Sequence, residues 1–190
     1  MKLEELMPTY DVKAAYSICI AATPQRVWEE LLNADFTSMP IARRLMRLRT
    51  LGRRKPPSGQ PRTLATMGAG RAGGFLEISR VPGQEIVLAI VGRFWLPHAP
   101  VLRDWKAEEF PTLAPHGFAK AAWNFYLTTE GDKASGNTTR LGTETRVLCF
   151  GRSARMQFRL YWFVIGFFSG SIRKEMLQIV KRNCERAQSS

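Results

Sequence analysis

Three pairs of side chains stand two residues apart in this 190-residue chain: Arg93 and Trp95, Trp123 and Phe125, and Glu144 and Arg146. In an extended strand, residues i and i+2 share a face, so each pair is directed to one side. Two chemistries are open. In the first, Trp95, Trp123, Phe125 and Tyr161 line an apolar cavity, and Arg93 or Arg146 holds the polar end of a ligand. In the second, the aromatics are core and Glu144 pairs with Arg146 across strands on the solvent face, because an unpaired buried charge is costly.

Other reactive residue types are sparse. His98 and His116 are the only histidines, and neither stands in a nucleophile motif, so both read as loop residues. Cys19, Cys149 and Cys184 are far apart with no C-x-x-C pair. They read as reduced, buried thiols, and no metal site and no cofactor is expected. Gly68 to Gly73 spells G-x-G-x-x-G, but the residues that follow alternate like a strand and no βαβ unit surrounds them. A phosphate-binding turn needs a helix there, so this segment reads as a loop.

The charge is concentrated. The chain carries 28 Lys and Arg against 16 Asp and Glu, a formal net charge of +12. Nine of the basic residues, including Arg43, Arg44, Arg47, Arg53, Arg54 and Lys55, fall between Asp35 and Glu77, where no acid occurs. A solvated basic face, an anionic membrane surface and an acidic ligand headgroup all fit this stretch. Specific nucleic-acid binding is not expected, since residues 37–74 offer no aromatic on which a base could stack.

The elements that must position these residues follow from periodicity. Residues 11–22 alternate as a β-strand; Thr23-Pro24 starts a short helix carrying Val27, Trp28, Leu31 and Leu32, and 38–46 has the spacing of a second. A basic, proline-containing loop covers 53–62. Residues 75–81, 85–95, 117–129 and 138–150 read as antiparallel strands, with Pro82-Gly83 a tight turn and Glu130 to Asn137 a longer hairpin. Residues 96–116 read as a long loop near a binding mouth. A helix over 153–187 closes the chain, eased at Gly166 or Gly170, and its aromatics cover more of the circumference than a narrow seam would need. Either a cavity, a solid core or a dimer contact would account for that breadth. The chain reads as one domain, 1–190, with an N-terminal extension at 1–10, no signal peptide, no membrane span and a cytoplasmic location.

Ala21 to Trp28, Glu85 to Val87, Gly92 to Trp95, Thr143 to Val147 and Phe158 to Trp162 resemble blocks of the START-like (SRPBCC) superfamily, in particular bacterial members related to polyketide cyclases. The resemblance covers about residues 11 to 185. It implies an α+β helix-grip fold, in which a curved antiparallel sheet wraps a long C-terminal helix and two short helices follow strand one. It also implies a pocket between sheet and helix, which would bind or carry a hydrophobic small molecule or lipid. A second expectation is a cyclase or dehydratase acting on a poly-β-ketone, with Arg93, Tyr126, Glu144 and Tyr161 as the polar candidates. A third is a basic surface module that meets an anionic membrane or nucleic acid.

Overall fold

The structure, a computed structural model, describes residues 1–36, 39, 63, 64, 66, 74–96, 100–129 and 138–186. The basic stretch, the second short helix, the Gly68–Gly73 motif, His98 and the turn before Thr138 lie outside the described residues.

The elements run α1 (Lys2–Leu6), β1 (Val12–Ile20), α2 (Pro24–Asn33), β2 (Leu76–Val81), β3 (Glu85–Gly92), β4 (Val101–Leu102), a 3₁₀ turn (Ala107–Glu109), β5 (Ala119–Thr129), β6 (Thr139–Cys149) and α3 (Arg152–Arg186). The strands form one antiparallel sheet in the order β1-β6-β5-β3-β2, with β4 paired to β3. The long helix lies against one face of this curved sheet, the helix-grip arrangement.

Local chemistry accounts for the elements. Thr23 caps α2 by accepting from the Arg26 amide, Pro24 opens its first turn, and Val27, Trp28 and Leu31 are buried. Gly83 has φ +72° in the Val81–Gln84 turn between β2 and β3, a conformation that costs glycine little. Along β1 the even-numbered residues turn inward and the odd-numbered outward. β3 is buried at all eight positions because both faces are covered: Ile86 and Leu88 meet the side of α2 and α3, Val87, Ala89 and Val91 the other.

The second cover was not visible in the sequence. Residues 1–10, read as an extension, include a helix that buries Leu3 and, just beyond it, Met7 on the outer face of the sheet. The Glu85 carboxylate accepts from the Lys2 and Leu3 amides at 2.7 and 3.3 Å, satisfying donors that a helix start leaves open. The 96–116 segment, read as a long loop at a mouth, packs Trp105 and Phe110 onto the same outer face and includes β4 and the 3₁₀ turn. Lys120 holds it there by donating to the Phe110 and Pro111 carbonyls at 3.1 and 2.9 Å.

The glycines expected to ease the long helix do not interrupt it, and α3 is continuous over 35 residues. At Gly170 a Cβ would collide with Tyr16 Oη, and at Gly166 it would press on the Trp162 indole, so these glycines make room for aromatic rings.

Candidate functional site

The five aromatic and cationic candidates divide among three places. Trp123 and Phe125 share the α3-facing side of β5 and join the larger core with Ile86, Leu88, Leu141 and Val180. Trp95 and Tyr161 belong to a separate cluster around Phe158, near the start of α3, where Trp95 meets Phe158 edge-on at 6.2 Å and the Tyr161 ring lies tilted 6.0 Å from that of Phe158. Arg93 lies in neither. β3 ends at Gly92, so the two-residue alternation that was to align Arg93 with Trp95 stops before it reaches them. The Arg93 guanidinium instead covers the Phe118 ring at 4.6 Å, against Gly117, and its Nε is buried without a partner.

Glu144 and Arg146 do share a face, but it is the outer one, buried beneath α1, rather than a solvent face or the α3 side. Arg146 Nε donates to Glu144 Oε1 at 2.6 Å along the same strand, and Arg146 also donates to the Met7 carbonyl at 2.8 Å. Lys13 approaches the second Glu144 oxygen at 3.2 Å. Asn124 ties the pair to the helix cap, taking the Glu144 amide on its Oδ1 at 2.8 Å and donating to Glu85 Oε1 at 2.6 Å. This network is satisfied from within the protein and has a structural role, which removes Arg146 as an anchor for a ligand beneath α3. Tyr126 lies on the same outer face opposite Gly142, where burial first and Glu144 next raise its pKa.

The residue that the sequence reading passed over is Arg173. Three residues before Met176 and seven before Val180, it falls on the buried stripe of α3, and that spacing was the available signal. Its guanidinium sits 5.1 Å over the Trp123 ring. Its Nε has no hydrogen-bond partner, and among the described residues no carboxylate lies close enough to bias its charge. Burial pushes its pKa down to about 10, and the Tyr16 phenol opposes this.

Two more buried donors without partners stand beside it. Trp123 Nε1 is one and Thr145 Oγ1 the other, and Trp123 and Thr145 are directly opposite across the β5–β6 ladder. Between β1 and α3 a depression of about 280 Å³ opens next to this cluster, lined by Tyr16, Ser17, Ile18, Lys174, Leu177 and Gln178. Lys174 Nζ lies 5.3 Å over the Tyr16 ring at its edge. An N–H cation, an indole N–H and a hydroxyl among aromatics suit an acceptor: a carboxylate, a phosphate or a polarised carbonyl oxygen.

No family model matches the chain, and no curated protein matches it. Among solved structures, a conserved protein from Geobacillus kaustophilus is 14% identical, with 90% of this chain and 96% of that one covered and a TM-score of 0.41. The Zhui aromatase/cyclase from Streptomyces sp. R1128 is 11% identical over 92% of this chain and 94% of its own, with a TM-score of 0.32. CalU16 from Micromonospora echinospora is 14% identical, with 92% and 84% covered and a TM-score of 0.31.

Proposed function

We propose that this protein binds a hydrophobic small molecule between the sheet and α3, with an acceptor group of that molecule on Arg173. The observation that carries this reading is a half-buried arginine whose Nε is buried without a partner and has no acid beside it among the described residues, next to two further donors without partners. A charge in that position opposes folding, and a ligand oxygen would supply the missing partner. Apolar walls come from Trp123, Phe125, Ile18 and Leu177. The cyclase reading has less support, because Tyr126 and Glu144 face α1 while Tyr161 faces the other side of the sheet.

The test compares a fluorescent long-chain carboxylic acid with the matched alcohol, titrated against wild type and Arg173→Met. The acid should bind wild type at least about tenfold more tightly than it binds the variant, as loss of a charge-assisted hydrogen bond implies. The alcohol should bind the two proteins alike. Equal affinity of the acid for both proteins would refute the anchor, and no binding of either probe would refute the site.

A further inference from the structure

α3 has a second apolar face that none of the described residues covers. Met156, Leu160, Phe163, Val164 and Phe167 are 70%, 73%, 88%, 58% and 77% exposed, although four of the five are large enough to dominate a core. At about 100° per residue, Met156, Leu160, Phe163 and Phe167 fall within about 60° of one another, opposite the stripe of Phe158, Met176 and Val180 that packs on the sheet. The exposed stripe runs for roughly 17 Å along the axis. Contiguous apolar surface of this kind on a folded protein marks a contact with something else.

The charges around it identify what. From Thr145 to Lys174 there is no acidic residue, while exposed Arg152 and Arg159 border the start of the stripe and exposed Lys174 stands beyond its end. Two copies paired through this face would bring together only like charges, with no carboxylate between residues 145 and 174 to offset them. An anionic lipid surface complements both features: the Phe and Leu side chains enter the acyl boundary while the arginines meet phosphate headgroups. Among the described residues no helix is long and apolar enough to cross a membrane, so the geometry is that of a helix lying in the interface.

We infer that the first half of α3 docks this protein on an anionic membrane surface. The site differs from the basic stretch at 43–55, and its apolar component separates it from a contact made by charge alone. It does not depend on what occupies the space beneath the helix.

The experiment is co-sedimentation of the full chain with vesicles of phosphatidylcholine containing a quarter phosphatidylglycerol, and with pure phosphatidylcholine, at low and at 0.5 M salt. Wild type is expected on the anionic vesicles, more weakly on the neutral ones, and less at high salt. The double variant Phe163→Ser, Phe167→Ser changes only exposed side chains, and its helicity is checked by circular dichroism. It should lose on the order of tenfold or more in partitioning to anionic vesicles. Unchanged binding of the double variant would overturn the proposal and shift the contact to other basic residues. A wild-type dimer that the double variant converts to monomer, with neither binding vesicles, would overturn it in favour of a second copy of the chain.

Discussion

Arg173 is a charge that no acid among the described residues balances, so its contribution to folding is unfavourable at neutral pH. Burial lowers its pKa in the folded protein to about 10, well below the free value. The unfolded chain therefore holds more protons between those values, and stability from this group rises with pH there. Its cost is fully present below the folded value and relieved above it. Arg173→Met should raise the unfolding free energy at pH 7 by on the order of 1 kcal/mol, read as a higher urea midpoint, with the gap to wild type narrowing as pH passes about 10. A lower midpoint would mean that the guanidinium's stacking on Trp123 outweighs its desolvation. The cysteines allow a sharper test. Burial pushes the Cys149 thiol up to about 12 and Cys184 up to about 11, while Cys19 is exposed. Iodoacetamide at pH 8 should add one group to the native protein, at Cys19, and three after unfolding, counted by intact mass. The sequence reading took all three thiols as buried. The alternation that turns Ile18 and Ile20 inward already points Cys19 outward, so this error was avoidable.

α1 is five residues long and too short to persist alone, so its helicity depends on docking. Glu85, more than 80 residues away in sequence, accepts from its first amides and from Asn124. Glu85→Ala should destabilise the protein by about 2 kcal/mol, because three donors lose their acceptor at once. Limited proteolysis should then cut within residues 1–10 before the rest of the chain, and Glu85→Gln, which keeps one acceptor oxygen, should fall in between. Cleavage no faster than in wild type would show that Leu3 and Met7 hold the segment by packing alone. Such an element is illegible to local reading, since neither a period nor a cap lies within its own ten residues. The same distance effect hid the role of Glu144 and Arg146. Their shared face was readable from spacing, but which face it was depended on a helix arriving from the other end of the chain.

The sheet is covered on both sides, by α2 and α3 on one and by α1 with residues 103–118 on the other. β3, paired on both edges and buried at every position, should therefore be among the most protected parts of the molecule. Amides of Ile86 to Val91 should exchange with deuterium only through global unfolding, while those around Phe163 to Phe168 exchange faster. Comparable rates in both segments would contradict this division. At this scale much was readable from periodicity: five of the six strands, the turn at Gly83, the cap at Thr23 and the closing helix all follow from alternation, turn chemistry and helical spacing. The candidate site was less so, because its members come from β1, β5, β6 and α3, and only the fold brings Tyr16, Trp123, Thr145 and Arg173 together. The contact of Tyr16 with Gly170 has a consequence of its own. One phenol ring seated on a bare stretch of helix backbone sets the clearance between β1 and α3, much as a shim does. Residues 16 and 170 are thus volume-coupled: Gly170→Ala alone should lower the melting temperature, and Tyr16→Phe, which withdraws the hydroxyl from the collision, should restore part of the loss. In related chains the two positions should vary together, a smaller ring or none at 16 accompanying any side chain at 170.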